Sequence, residues 1–418
     1  MIWRRFGGCA ALRHGWRRDV CTGRPVLGIE TSCDDTGVAV VSRDAATGRG
    51  VVHSEVLRSQ WDLVARYGGV FPNEARQAHA AAIGALVEEA LRRAGLQAAE
   101  LDAVSVTLGP GLSPCLAVGA SAARELCRAH GLPLVGVNHL VAHALTPLMA
   151  RPFAAPFLAL LASGGHTSLL CARGDGPGAA SCVDAARYEV LGKTLDDSVG
   201  EAFDKVWRLL QESLGRCSEV SPEQLARWRG GHGGAALEEL AAEAPADATL
   251  FTVPLQGRGG RHGMDFSFSG LKTQVARHVE RARPQSRAEL ARVAAAFQAT
   301  AVQHLHAQLL RAVAHVRASL PQGPAAPPLP LVVSGGVASN KALRRRLLGI
   351  PGVELLVPPQ ALCVDNGVMI AWTGLLMRAN GDPGLTTPAE LDQMWFDPSW
   401  TLGPVHGIKR RMPLTKMI

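Results

Sequence analysis

Short apolar runs bounded by Gly, Asp or Pro recur along the chain and alternate with longer stretches of helical period. Residues 26–30, 37–42 and 50–57 read as three successive strands, the first two joined by a polar turn. A helix is predicted over 73–94, after Pro72, with Ile83, Leu86, Val87 and Leu91 as its apolar stripe and Gly95 in the helix-ending position. Strand 103–108, the turn Gly109-Pro110-Gly111, a helix over 113–130 closed by Gly131, strand 134–137 and helix 139–149 follow. Residues 151–156 break the pattern, and the opening then repeats. Strand 157–162, a glycine turn, strand 166–172 and an extended piece at 188–191 lead into helices over 196–213, 235–243, 269–282 and 287–319. A Pro/Ala-rich loop (321–330), strand 331–334, helix 338–348, strand 353–357 and a long helix after Asp365 complete the set.

Both halves therefore read βββ-α-β-α-β-α, with extra helices inserted in the second. This predicts an α/β protein with a duplicated fold, two lobes around a central cleft, each built on a mixed sheet with helices on both faces. Two unrelated α/β domains are the alternative, and the matching glycine turns after each first strand favour duplication. The expected divisions are 1–24 ahead of the fold, 25–150 as the first lobe, 151–380 as the second lobe with its helical insertions, and 381–418 as a tail.

Composition narrows the class. At 47% hydrophobic and 19% charged, most of the chain is excluded from disorder. Nine Cys without a C-x-x-C pair suit neither a disulfide scaffold nor a zinc ribbon, and point to reduced thiols in an intracellular compartment. No apolar run approaches the ~20 residues of a membrane span. The formal charge of +7 is concentrated at the start, where residues 1–24 hold Arg4, Arg5, Arg13, Arg17, Arg18 and Arg24 against one acid, Asp19. That composition fits a mitochondrial transit peptide, with a basic anion-binding tail as the alternative. The other basic end, Lys409-Arg410-Arg411 to Lys416, is either a solvated tail or a phosphate-contacting arm.

Two constellations carry chemistry. His139 and His143 are four apart on a predicted helix, so both imidazoles can reach one ion. Pseudo-symmetry puts Asp365 in the matching place of the second half. Two His and one carboxylate suit Zn²⁺ or Fe²⁺ as a Lewis acid; a lone H-x-x-x-H is more often two ordinary surface histidines. Gly28 to Thr36, Ser163-Gly164-Gly165-His166-Thr167 and Ser334 to Asn340 form three glycine- and hydroxyl-rich junctions at strand ends, the layout expected of an adenylate site shared between halves. Asp34 sits where an acid can orient a metal, a water or a nucleophile, or simply close a turn. Asp204 can bind a ribose hydroxyl, while Glu201 and Lys205 read as an i,i+4 pair. Phe266 and Phe268 read as core residues ahead of a helix start.

With these residues assembled, the chain resembles the tRNA threonylcarbamoyl-transfer family, whose members were once called O-sialoglycoprotein endopeptidases. The stretches G-I-E-T-S-C-D (28–34), S-G-G-H-T (163–167), G-E-A-F-D-K (200–205), D-F-S-F-S-G-L-K-T (265–273), S-G-G-V-A-S-N (334–340) and D-N-G (365–367) carry the likeness, over about residues 26–380. With its basic leader the chain resembles the mitochondrial member. The resemblance implies an actin-like, sugar-kinase-like (ASKHA) fold. It also implies transfer of threonylcarbamoyl from threonylcarbamoyl-AMP to N6 of adenosine 37 in tRNAs reading ANN codons, with loss of AMP. One divalent ion per subunit (Zn or Fe) would be held by His139, His143 and Asp365. The adenylate would be held by Ser163, Gly164, Gly165, His166, Thr167, Asp204, Gly234, Glu238, Ser339 and Asn340. Asp34 would be the acid nearest the reacting centre. A homodimer in the mitochondrial matrix is also implied. Asp35, Val141 and Val364 stand where bacterial relatives have Glu, an acid and Thr, and His232 to Ala235 departs from the usual flanks of Gly234.

Rival functions are a metal-dependent peptidase and a catalytically silent nucleotide- or tRNA-binding module. The peptidase reading lacks H-E-x-x-H, since position 140 is Leu. A sugar kinase is disfavoured by paired histidines where carboxylates and Mg²⁺ are usual.

Overall fold

The computed structural model describes residues 23–63, 69–174, 178–215, 217, 219–229, 233–256, 263–320, 327–381, 385–403 and 412–414. The proposed leader and the terminal basic cluster lie almost wholly outside them. In chain order the first lobe comprises β1 (Val26–Glu30), β2 (Asp35–Arg43), β3 (Gly50–Ser59), α1 (Pro72–Ala94), β4 (Ala103–Gly109), α2 (Ser113–His130), β5 (Leu134–Asn138) and α3 (His139–Leu145). The second comprises β6 (Phe157–Ala162), β7 (Thr167–Ala172), β8 (Tyr188–Lys193), α4 (Val199–Leu214), α5 (Pro222–Arg229), α6 (Gly233–Ala241), α7 (Ser269–Ala282) and α8 (Arg287–Ala318). It continues with β9 (Leu329–Ser334), α9 (Lys341–Leu348), β10 (Val353–Leu356) and α10 (Gly367–Ala379), and short strands β11 (Leu385–Thr386), β12 (Trp395–Phe396) and β13 (Met412–Pro413) end the chain.

The duplication is explicit in the strand order. One sheet runs β3-β2-β1-β4-β5 and the other β8-β7-β6-β9-β10, each with an antiparallel meander followed by parallel strands. Side chains alternate between faces with period two. Leu27, Ile29, Val38 and Val40 enter an outer core with α1 and α2. Val26, Ala39 and Val41 enter an inner layer that also takes Phe157, Ala159 and Leu161 of β6. That inner layer is filled by α3 and α10, and the outer face of the second sheet is covered by α4 and α6 to α9. The molecule is thus helices, sheet, helices, sheet, helices, with α3 and α10 between the sheets.

Helix α10 comes from the second half of the chain but lies on the first sheet. Its approach is so close that a Cβ on Gly28 would stand 2.3 Å from the Ala371 amide nitrogen, and one on Gly367 2.5 Å from that of Ala39. Three local differences from the sequence pattern have plain causes. The helix expected over 139–149 gives way at Pro147 to a 3-10 turn, Thr146–Met149. The 338–348 helix begins at Lys341, capped by Asn340, after a 3-10 turn at Gly336–Ser339. Residues 385–403, read as tail, return to the first lobe: β11 pairs with β5, and Leu391, Met394 and Phe396 join the outer core.

Candidate functional site

Four strands end at one place: β1 with Glu30, β5 with Asn138, β6 with Ala162 and β9 with Ser334. Open α/β sheets bind ligands at such carboxyl ends. Asn138 caps α3, its Oδ1 accepting from the amides of Leu140 (3.0 Å) and Val141 (3.3 Å), a contact worth about 1 kcal/mol. This fixes the first turn of α3 and sends His139 and His143 toward the second lobe. Asp365 arrives from the loop before α10, where Asn366 caps the helix by accepting from the Met369 amide.

The three predicted ligands meet. His143 Nε2 lies 3.0 Å and His139 Nε2 3.7 Å from Asp365 Oδ1. One ligand atom from each lies within 4.8 Å of the others, so this group can hold a metal ion. The opposite ring nitrogens have partners of their own. His139 Nδ1 is 3.2 Å from Glu30 Oε2 and 3.3 Å from Ser32 Oγ, and His143 Nδ1 is 3.2 Å from Ser334 Oγ. Glu30 is buried; it also accepts from the Ser32 amide (2.6 Å) and from Thr107 Oγ1. Outer partners of this kind set ring orientation and ligand basicity at metal sites.

Electrostatics follow from these distances. Burial disfavours the His139 cation, but Asp365 and Glu30 outweigh it and raise the imidazole to about 9. Burial would likewise raise the Asp365 carboxyl, yet His139 and His143 hold it well below the usual range. A histidine ligand binds a metal ion in its neutral form, so an ion at this site competes with protons.

The hairpin 163–166 closes between β6 and β7, with Ser163 Oγ accepting from the amides of Gly165 (3.3 Å) and His166 (3.0 Å). The His166 ring centre is 6.1 Å from that of His139, and burial, with His139 nearby, lowers its pKa to about 4. Thr167 Oγ1 accepts from the Val199 amide, and the Gly200 amide donates to Ser163 O, so the hairpin is seated on the start of α4. Along α4, Asp204 Oδ1 accepts from the Gly234 amide (3.0 Å). Glu238 on α6 accepts from the Lys341 amide (2.6 Å), next to Asn340, whose Nδ2 donates to Gln298 Oε1. Ser339 ends the preceding 3-10 turn. Asp204, Gly234, Glu238 and Asn340 are thereby brought into one contact network across α4, α6 and α9. Asp34, in the turn between β1 and β2, is partly buried; burial raises its carboxyl, with Asp365 acting in the same direction.

Some expectations take the plainer alternative. Lys205 pairs with Glu201 (2.7 Å) and with Asp197 (3.1 Å). Phe266 and Phe268 are fully buried, stacked beside His304. Val141 is buried in the inner layer. Sequence reasoning placed Glu30, Ser32 and Ser334 in junctions of an adenylate site and not as partners of His139 and His143, although an ionisable residue ending the apolar run Val26–Glu30 was a usable signal.

Two sheets of one strand order, with two imidazoles and a carboxylate meeting at their strand ends, define a duplicated, two-lobed α/β protein whose cleft holds a group able to bind a metal ion. The model of the tRNA N6-adenosine threonylcarbamoyltransferase family matches residues 51–372. A probable mitochondrial tRNA N6-adenosine threonylcarbamoyltransferase of Arabidopsis thaliana is 40% identical in an alignment of 402 residues that covers 90% of this chain and 75% of that protein. A tRNA N6-adenosine threonylcarbamoyltransferase of Sorangium cellulosum is 44% identical over 372 residues, covering 85% and 92%. Among solved structures, component A of the Acidaminococcus fermentans (R)-2-hydroxyglutaryl-CoA dehydratase aligns over 88% of this chain and 99% of its own, at 12% identity and a TM-score of 0.43. The chain belongs to the tRNA N6-adenosine threonylcarbamoyltransferase family. It is an enzyme that transfers a threonylcarbamoyl group to a tRNA adenosine.

Proposed function

We propose that the donor is threonylcarbamoyl-AMP, that the acceptor is N6 of adenosine 37 in mitochondrial tRNAs reading ANN codons, and that transfer takes place beside His139, His143 and Asp365. The convergence of these three side chains from the two halves of the chain carries the reading. Two imidazoles and a carboxylate fit one Zn²⁺ or Fe²⁺ per subunit, and each imidazole already has a partner on its far nitrogen. Bound there, the ion would supply Lewis-acid polarisation to the threonylcarbamoyl group.

The rest falls to the chain's own groups. A new bond joins N6 to the carbamoyl carbon, the carbon–oxygen bond to phosphate breaks, AMP leaves and N6 loses a proton. Backbone amides of 163–167 and of the 336–339 turn are suited to the phosphate charge of the leaving group. Asp204, Gly234, Glu238, Ser339 and Asn340 would bind the adenylate. Asp34, its carboxyl raised by burial, suits a group that accepts the N6 proton. A weakly nucleophilic exocyclic amine needs alignment more than a strong base, and its base is best presented from a single-stranded loop.

Residues 1–24 would serve as a transit peptide to the matrix, supported by their arginines and by the mitochondrial relative in Arabidopsis thaliana. The working form is proposed as a homodimer.

The test uses the full chain with threonylcarbamoyl-AMP and a mitochondrial tRNA, followed by nucleoside mass spectrometry. Wild type should form threonylcarbamoyladenosine, and His139→Ala should lose modification by at least a hundredfold, roughly, while still binding tRNA. Unchanged modification by His139→Ala overturns the site.

A further inference from the structure

The family match ends at residue 372, and the chain beyond α10 returns to the first lobe. There residues 394–402 form a strap across the ends of β4 and β5. Met394 and Phe396 are buried in the outer core, Leu402 in the inner layer, and Trp400 packs against both. The Asp397 amide donates to Leu108 O (2.8 Å), the Gly111 amide to Pro398 O (3.2 Å), and Asn138 Nδ2 to Trp400 O (3.4 Å). Gly109 has φ +146°, and a Cβ on it would stand 1.9 Å from the Asp397 carbonyl oxygen, so the turn and the strap are fitted to each other.

Two short routes lead from the strap to His139. Through the turn, a Cβ on Gly111 would lie 2.7 Å from Ser32 Cβ, and the Leu112 amide donates to Ser32 O (2.7 Å); Ser32 Oγ then lies 3.3 Å from His139 Nδ1. Through the helix, Trp400 O holds the side chain of Asn138, the residue that caps α3 and precedes His139.

We propose that the strap is a positioning element of the metal centre. By holding the 109–112 turn and the α3 cap, it fixes Ser32 and the His139 ring in the orientation that meets His143 and Asp365. An imidazole displaced by a few tenths of an ångström binds an ion less well, and loss of such outer support costs about 10- to 100-fold in affinity. The inference rests on the reading that His139, His143 and Asp365 hold an ion.

The experiment is Zn²⁺ competition against a chromophoric chelator on the full chain, with thermal melting of the same samples. Trp400→Ala should weaken Zn²⁺ binding about tenfold, and Trp400→Phe should restore most of it. Asn138→Ser keeps a capping oxygen but loses the amide donor; it should weaken binding severalfold at nearly unchanged melting temperature, and carries the test should Trp400→Ala not fold. Trp228→Ala, which opens the second lobe's core beside Trp207, should lower melting and leave Zn²⁺ affinity unchanged. Wild-type affinity in Asn138→Ser and Trp400→Phe, with Trp400→Ala either equally tight or unfolded, overturns the strap's role, as does an equal loss in Trp228→Ala. Wild-type affinity in His139→Ala overturns instead the metal reading beneath it.

Discussion

At the scale of single residues the site is a matter of charges taken out of water. Glu30 and Asp365 flank His139, and each is held ionised by it despite burial. For Asp35 the strongest influences include no cation, and nearby Asp34, Asp365 and Glu30 add to the effect of burial. Asp35 begins β2, one of its carboxylate oxygens is buried with no hydrogen-bond partner, and burial raises its pKa to about 7 despite a hydrogen bond from Ser59. The folded state therefore binds a proton that the unfolded state releases near pH 4. Stability from this group is complete below that value and is lost as pH rises towards 7. Asp35→Asn should flatten the fall in melting temperature between about pH 4 and 7 relative to wild type; parallel curves would contradict the assignment.

Secondary-structure elements bring these residues together. Strands buried on both faces read as continuous apolar runs between turn residues, which is why β1 and β6 stand out in VLGIE and FLALLA. His139 and His143 were legible from helical spacing, and Asp365 from the duplication. The contact of Ser334 with His143 and the place of Trp400 were not, because both depend on partners far along the chain. Helix α5 was missed because PEQLARWR has few apolar positions, and β11 and β12, two residues each, are too short to show any period. The glycines under α10 had a meaning that only packing reveals. Gly367→Ala would drive a Cβ into the Val38–Ala39 backbone and should cost about 1–3 kcal/mol in urea unfolding. Because Gly367 follows Asp365 by two residues, Zn²⁺ affinity should fall with it; a variant of wild-type stability would show the contact to be looser than described.

For the whole molecule, charge is unevenly spread. Outside residues 1–24 the chain is close to neutral, so contact with tRNA phosphates must come from local patches. The exposed face of α9 is basic, with Lys341, Arg345 and Arg346 exposed and no acid on the helix. Deleting residues 1–24 should leave tRNA binding that weakens linearly in log–log plots against salt, at about −0.7 for each phosphate neutralised. A salt-independent affinity in filter binding would contradict this. The crossing of α10 onto the first sheet also has a consequence for biosynthesis. The last strand of that sheet's core, β5, leaves the ribosome roughly 230 residues before the helix that covers its inner face begins. Until then a wide apolar surface is open to chaperones or to other nascent chains, and a transcript truncated before codon 367 would yield a product prone to aggregate rather than a half-sized functional protein.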